Sequence, residues 1–290
     1  MKRVRKAVLP VAGLGTRMLP AAKTVAKEML TGVDRPLIHW VMDEARAAGI
    51  EHFVLVTGRG KGAMEDYFDH QVELEESLRA KGKTAILDQL LADLPKEGEI
   101  SYVRQMHPHG LGHAVWCARD IIGDEPFAVL LPDMIMDASP GATKQALDAY
   151  EQTGGSNIVV VEPCPPGMAH QYGIVALEGD EGRLRRMTGM VEKPAKGTEP
   201  SNLFISGRYV LNPEIFTALA ERERGAGGEI QLTDAMARLM QTQPFHALEY
   251  EGTTYDCGDR LGWLRANVAL ALKDPELGPK ARDMVTELLA

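Results

Sequence analysis

Two hydrophobic periods take turns along the first half of the chain. Residues 7–11 are apolar throughout and few in number, the pattern of a strand buried on both faces. A glycine turn follows at once. From 37 to 48 the apolar positions are Leu37, Ile38, Val41, Ala45 and Ala48, which share one helix face, and Gly49 supplies a C-cap. Residues 53–56 predict the next strand, so strand, helix and strand form a right-handed parallel βαβ unit. A charged stretch over about 62–93 reads as helical, with Glu73, Glu75 and Glu76 on a solvated face. Strands are predicted at 100–103 and 127–131. Between them lie a second glycine loop, His109-Gly110-Leu111-Gly112-His113, and a helix from about Ala114.

This alternation predicts an α/β protein with a doubly wound, mostly parallel, Rossmann-like sheet. Ligands of such sheets bind beyond the carboxyl ends of the strands. Gly13, Gln105, Gly110 and Asp133 all fall at or just after such ends. The second half is less regular, with strands expected at 158–161, 172–175, 189–191 and 203–210 and helices at 213–223 and 229–242. Residues 258–289 read as mainly helical, interrupted by Pro275 and Pro279. No repeat, low-complexity tract or linker divides the chain. A single domain over 1–290 is expected, with a nucleotide-binding part over about 1–135 and a smaller β extension with a helical C-terminus over about 136–290.

The glycine turn carries the first chemistry. In Ala12-Gly13-Leu14-Gly15-Thr16-Arg17, Gly13 and Gly15 permit positive φ and leave no Cβ between backbone N–H groups and a ligand. Arg17 offers a planar fork of donors for phosphate oxygens, and Lys27 adds a second positive charge. The Gly-Lys-Ser/Thr of a P-loop is missing, and Met18 stands where a dinucleotide loop needs its third glycine or alanine. A triphosphate site is the remaining reading of strand, glycines and basic residues, against an ordinary βα turn.

Asp133, just past a buried strand, suits Mg²⁺, a hard cation held by one or two carboxylates plus substrate phosphates. Asp256 is the preferred second ligand and Asp137 the alternative; a lone aspartate there also serves as a turn or helix cap. Glu192 and Lys193 would point to opposite faces of a strand unless Pro194 turns the chain, which would bring both to one ligand. Gln105 can show a donor and an acceptor to a pyrimidine edge, with the Gly110 backbone completing the pairing. His107, His109 and His113 have intervals compatible with zinc but no thiolate or fourth ligand nearby, so the nucleotide-loop reading ranks above a metal site.

Composition narrows the partners. A 290-residue chain with 44% hydrophobic and 25% charged residues can bury a substantial core as a soluble globular protein. A net charge of −9 argues against nucleic acid as a partner but not against a local basic pocket. Cys117, Cys164 and Cys257 form no Cys-x-x-Cys pair, which points to neither disulfides nor a zinc knuckle. The basic start runs straight into the first strand without the apolar core of a signal peptide. No apolar run approaches the ~18 residues that span a bilayer. No membrane partner and a cytoplasmic location are therefore expected.

Many motifs occur in an order that resembles the sugar-nucleotide pyrophosphorylases, the sugar nucleotidyltransferase family. They are Ala12 to Arg17, Lys27-Glu28-Met29-Leu30, Asp34 to Leu37, Gly110 to Ala114, Pro132-Asp133, Tyr172-Gly173, Val191 to Pro194, Pro200-Ser201-Asn202, Gly207 to Val210, Gly228 to Asp234 and Asp256-Cys257-Gly258. The stretches 229–234 and 256–258 are similar to the UTP–glucose-1-phosphate branch. The resemblance implies a uridylyltransferase making UDP-glucose, for nucleotide-sugar and polysaccharide synthesis, as a homo-dimer or homo-tetramer. It implies that Ala12, Gly13, Leu14 and Gly15 hold the nucleotide while Arg17 and Lys27 grip its triphosphate. Gln105 and Gly110 would read the base, and Asp133 and Asp256 would hold Mg²⁺. Gly173, Glu192 and Asn202 would meet the glucose, with Lys193 on its phosphate. The chain departs from the family at Ala26, where proline usually precedes the lysine and stiffens its loop. A thymidylyltransferase of the same fold, or a non-catalytic nucleotide-sugar sensor, are the alternatives.

Overall fold

Alternate residues of the apolar strands enter two separate cores. Ala7, Leu9, Phe53, Leu55, Ala128 and Leu130 belong to one, with Leu37, Val41 and Ala45 of the helix Leu37–Ala48. Val8, Val54, Val56, Phe127 and Val129 belong to the other, with Ala114 and Val115 of the helix Leu111–Cys117. Each fully buried large aliphatic side chain contributes roughly 1.5–3 kcal/mol, more than the ~1 kcal/mol span of strand propensities. The two-sided burial therefore makes these short runs strands.

The computed structural model describes residues 1–290. Its strands are β1 (Lys6–Pro10), β2 (Thr31–Gly32), β3 (Arg35–Pro36), β4 (His52–Thr57), β5 (Ile100–Arg104), β6 (Phe127–Leu130), β7 (Met134–Asp137), β8 (Asn157–Pro163), β9 (Gly173–Leu177), β10 (Leu184–Glu192), β11 (Leu203–Leu211), β12 (Phe245–Glu249) and β13 (Thr253–Asp256). Nine of them form one sheet in the order β5-β4-β1-β6-β11-β8-β12-β10-β9. β7 pairs with β13, and β2 with β3, outside it.

The sheet is mixed, which corrects the expectation of a mostly parallel one. Pairs β4–β5, β1–β4, β1–β6 and β12–β8 are parallel. β11 runs antiparallel to both β6 and β8, and β10 runs antiparallel to both β9 and β12. Residues 178–183 are too few for the crossover that parallel pairing of β9 and β10 would need.

Other differences are local. The stretch over 62–93 breaks into the helices Gly62–Tyr67, Val72–Ala80 and Thr84–Ala92. Pro279 lies in the first turn of Gly278–Leu289, where its missing N–H costs nothing, so it starts a helix and does not interrupt one. Gly49 caps its helix as expected, at φ 98°.

The order of β1, β4 and β5 reverses when the chain crosses to β6 on the other side of β1. The crevice beyond the carboxyl ends of β1 and β6 is thus a topological switch point, where open α/β sheets bind ligands. The loop at Gly13 leaves one side of it and the turn at Asp133 the other.

Candidate active site

Gly15 has φ 64°, and a Cβ there would stand 3.0 Å from Ala22 Cβ and 3.3 Å from Lys27 Cβ. Glycine thus permits both the left-handed turn and the close approach of the Lys27 segment. A short turn, Thr16–Met18, leaves the Arg17 side chain exposed. Ala26 has φ −57°, close to the value a proline there would fix, so the backbone takes that conformation without the ring. Lys27 follows and places Nζ 2.5 Å from Asp133 Oδ2.

A cavity of about 570 Å³ lies elsewhere, beside the helix Leu37–Ala48; it has no glycine-rich loop, and its Arg46 is taken up by Glu99, Nε at 2.6 Å, and by Asp43, Nη1 at 3.1 Å. A cavity of about 540 Å³ opens at the switch point, and Ala12, Gly13, Leu14, Gly15, Lys27, Gln105, Gly110 and Asp133 all line it. This cavity, with its glycine-loop backbone and convergent charges, is the candidate site.

Asp133 and Asp256 come together although 122 residues separate them in sequence. β7 and β13 pair in a register that sets Met134 opposite Asp256, and Cys257 N–H donates to the Asp133 carbonyl at 2.7 Å. Asp137 sits at the other end of that ladder, opposite Thr253 and bound by Lys273, so it lies apart from the Asp133–Asp256 pair. Arg17 Nη1 lies 3.7 Å from Asp256 Oδ2. A Cβ on Gly258 would fall 3.0 Å from Asp133 Oδ2 and 2.8 Å from Asp256 Oδ1, and would collide with Arg17. Gly258 therefore keeps open a small space that both carboxylates border.

Burial works to raise the Asp133 carboxyl, but the Lys27 ammonium outweighs it and holds the group below the ordinary carboxylate range. The Asp256 carboxyl is raised, by burial first and then by the Asp133 charge. Two hard oxygen donors strained by mutual repulsion in one small space fit a Mg²⁺ ion that takes its other ligands from phosphates and water.

Cys257 adjoins this pair yet is fully buried, and burial with the nearby Asp133, Asp256 and Asp259 pushes its thiol up to about 12. Such a thiol is not a nucleophile near neutrality. Iodoacetamide at pH 8 is expected to leave Cys257 unmodified in the folded protein, and Cys257→Ser to stay within about threefold of wild-type rate, since so weak and buried a nucleophile forms no covalent intermediate. Peptide mass mapping and turnover check this; rapid labelling of Cys257 with loss of activity would refute it.

Gln105 is buried at the carboxyl end of β5. Its Nε2 donates to the Gly110 carbonyl at 3.1 Å and meets His113 Nδ1 at 3.0 Å. The amide nitrogen is therefore engaged within the protein, and only Oε1 is left for a ligand, where the sequence had suggested a donor and an acceptor. Gly110 has φ 106°, and a Cβ there would stand 2.7 Å from Glu229 Cβ and 2.8 Å from the Ile230 carbonyl. Ile230 N–H donates to His109 O at 2.7 Å and Gly112 N–H to Ile230 O at 2.9 Å, locking the two loops together. The histidine rings pack on one another, at 5.4 Å for His107–His109 and 5.1 Å for His109–His113. No group of three or more His, Cys, Asp or Glu side chains is arranged to hold a metal.

The remaining residues gather separately. Glu192 stands opposite Gly173 in the β9–β10 ladder and accepts from Thr233 Oγ1 at 2.7 Å. Lys193, at φ 49°, itself turns the chain, before Pro194. That left-handed residue breaks the strand alternation and brings Lys193 Nζ 3.6 Å from Glu192 Oε1. Gly173 has Glu192 Oε2, Ile205 and Thr233 against the place of its missing Cβ. Asn202 is exposed just ahead of β11, its carbonyl accepting from Cys164 N–H at 2.6 Å, and is not drawn into this cluster.

Three contributors escaped the sequence. Glu229 lines the cavity, and Thr233 orients Glu192. Glu28, next to Lys27, is fully buried and accepts from Lys61 Nζ at 2.9 Å, anchoring the Lys27 loop to the start of the helix Gly62–Tyr67. Its Lys27-Glu28 motif was visible, but nothing local pointed to a partner 33 residues away.

The nucleotidyl transferase family model matches residues 6–271. The chain belongs to the nucleotidyl transferase family. Among related transferases, a UTP–glucose-1-phosphate uridylyltransferase from Bacillus subtilis is 50% identical over 277 residues, covering 96% of this chain and 94% of the relative. The UTP-bound UGPase from Acinetobacter baumannii has a TM-score of 0.91 to this transferase at 42% identity, over 98% of this chain and 99% of that one. A UDP-glucose pyrophosphorylase complexed with UDP-glucose gives 0.82 at 37% identity, over 93% and 100%.

Proposed function

We propose that this nucleotidyl transferase moves a uridylyl group from UTP to glucose 1-phosphate, giving UDP-glucose and pyrophosphate. The observation that carries the reading is the convergence of the Gly13 loop, Lys27, Arg17, Asp133 and Asp256 at the switch point. It occurs in a chain that is half identical to a uridylyltransferase.

The sugar-phosphate oxygen attacks the α-phosphorus of UTP in line, and the bond from that phosphorus to the bridging oxygen of the leaving pyrophosphate breaks. A phosphomonoester with a second pKa near ~6 is largely ionised at neutral pH, so no general base is needed. The barrier is repulsion between anions plus alignment. Backbone N–H groups from Ala12 to Gly15 cradle the triphosphate, and Arg17 and Lys27 neutralise it. Lys27 would exchange its Asp133 partner for phosphate oxygens. Asp133 and Asp256 would hold Mg²⁺, which, when bound, neutralises phosphate charge and fixes the reacting geometry. Gln105 Oε1 accepts from the base N–H and Gly110 N–H donates to a base carbonyl. Gly173 and Glu192 receive the glucose, and Lys193 its phosphate; Asn202, outside that cluster, is left without a role.

We read the sheet as doubly wound, and the reversal of strand order between β1 and β6 supports this placement. We read the chain as a single domain, nucleotide-binding over about 1–135 and sugar-binding over about 136–290, working in the cytoplasm as a homo-dimer or homo-tetramer. No helix is long and apolar enough to cross a membrane.

Pyrophosphate release with UTP or dTTP, each with glucose 1-phosphate or galactose 1-phosphate, tests the reading. UTP with glucose 1-phosphate is expected to be the best pair. Preference for dTTP would make the protein a thymidylyltransferase, and tight UDP-glucose binding without pyrophosphate release would make it a sensor.

The pocket's division has its own test. A hydrogen bond to a charged group is worth roughly 1.5–3 kcal/mol, or about one to two powers of ten in affinity. Glu192→Ala is expected to lose that much toward glucose 1-phosphate while UTP binding stays nearly intact. Gln105→Ala is expected to weaken UTP and blur base choice with little change in sugar selectivity. Calorimetry with UTP and kinetics with both sugar phosphates separate them; equal loss of UTP binding in the two variants would refute the division.

A further inference from the structure

We propose that Arg208 is a positioning residue that sets the separation of Asp133 and Asp256, with Glu44 as its counter-charge. The proposal rests on the reading of these aspartates as the Mg²⁺ ligands.

Arg208 has no exposed surface and is among the largest fully buried side chains of the protein. Burying a guanidinium is costly unless every donor is met. Here Nη1 donates to the carbonyls of Leu131 at 3.1 Å and Gly207 at 3.4 Å. Nη2 donates to the Met134 carbonyl at 2.9 Å and to Glu44 Oε2 at 2.7 Å, and Nε reaches the same oxygen at 3.2 Å. Leu131 and Met134 bracket Pro132 and Asp133, so one rigid fork grips the turn on both sides of the metal-binding aspartate.

The grip extends to the second carboxylate. Met134, held by Arg208, is the ladder partner of Asp256. The carbonyl of Asp133 fixes Cys257 N–H. Behind the fork, Glu44 Oε1 accepts from Thr143 N–H at 2.6 Å and its Oγ1 at 2.7 Å, so the counter-charge is itself immobilised. Gly207, at φ 88° and with Leu131 and Met134 each 3.1 Å from the place of a Cβ, lets the strand press against the turn. A lysine at 208 would keep the charge for Glu44, but three donors on one nitrogen cannot span two carbonyls and a carboxylate.

The test is Mn²⁺ binding to the complex with UDP-glucose, with free Mn²⁺ read by electron paramagnetic resonance, beside calorimetric UTP binding in EDTA. Loss of a group that orients metal ligands typically costs 10–100-fold in metal affinity. Arg208→Lys is expected to weaken Mn²⁺ by about that factor, to keep metal-free UTP binding within about twofold, and to regain rate at high Mg²⁺. Glu44→Gln, which keeps an acceptor for the fork without its charge, is expected to shift Mn²⁺ affinity the same way by a smaller factor, and decides the matter should Arg208→Lys not fold. Unchanged Mn²⁺ affinity in the folded variants, or an equal loss of metal-free UTP binding, overturns the positioning role. Asp133→Asn is the control for the underlying reading: if it binds Mn²⁺ as wild type does, the metal assignment fails and the positioning role falls with it.

Discussion

Asp133→Asn is expected to keep the fold and lose roughly 10²–10³ of turnover, the rate equivalent of the several kcal/mol a bound cation supplies. A neutral amide ligates Mg²⁺ poorly, and it also ceases to be the counter-charge of Lys27, whose Nζ lies 2.5 Å from the carboxylate. The fold should survive because the backbone contacts of residue 133 remain, the bond from Cys257 N–H to its carbonyl among them. Steady-state pyrophosphate release at saturating Mg²⁺, with circular dichroism as the check on folding, measures this. A folded variant turning over near the wild-type rate would remove Asp133 from the metal site.

Lys61→Met is expected to destabilise the protein by about 3–5 kcal/mol, since removing one partner of a buried ion pair leaves the other charge uncompensated. Glu28 has no exposed surface, and its Oε1 already lacks a partner. At roughly 2–4 °C per kcal/mol, the melting point should fall by about 10 °C. The pH dependence has a definite sign. Burial raises the Glu28 carboxyl above its ordinary value, although Lys61 and Lys27 pull it back. A carboxyl raised on folding adds stability below its unfolded pKa and loses it as pH rises through the folded one. Without Lys61 the folded value climbs further, so the gap to wild type should be wide at pH 8 and narrow toward pH 5. Glu28→Gln in the Lys61→Met background should recover much of the loss. Melting curves of the three proteins at both values decide it; a gap that widens on acidification would show that Glu28 is not the uncompensated charge.

The nucleotide side of the cleft was legible because its signals are local. A strand, a glycine turn and a basic residue lie within a dozen positions around Gly13, and burial on both faces marks the parallel strands without any knowledge of their neighbours. Asp256 could be named as a second ligand but not placed, for its approach to Asp133 depends on the β7–β13 ladder, and neither strand was read from sequence. β13 is largely polar, and β7 follows β6 after only three residues, so neither stood out as a separate apolar run. The turn at Lys193 was placed one residue late because proline is a visible stiffener, whereas a left-handed lysine carries no sequence mark. Arg208, in a strand of apolar character, gave no hint that its partners would be main-chain carbonyls.

β11 belongs to neither part of the pocket alone. Its end, Arg208 to Leu211, lies along β6, while Leu203 to Ile205 and Tyr209 to Val210 lie along β8 and Phe204 also meets β9. The chain therefore cannot be cut where its chemistry divides. A piece ending near residue 135 would leave β6 with a bare hydrogen-bonding edge of fully apolar residues, an invitation to aggregate. Cleavage between the strands is another matter: if the halves reassemble, it will be through β11 laying itself back along β6. Co-expressed fragments should regain solubility only when the second carries that strand, which makes β11 the natural place to install a split-protein reporter.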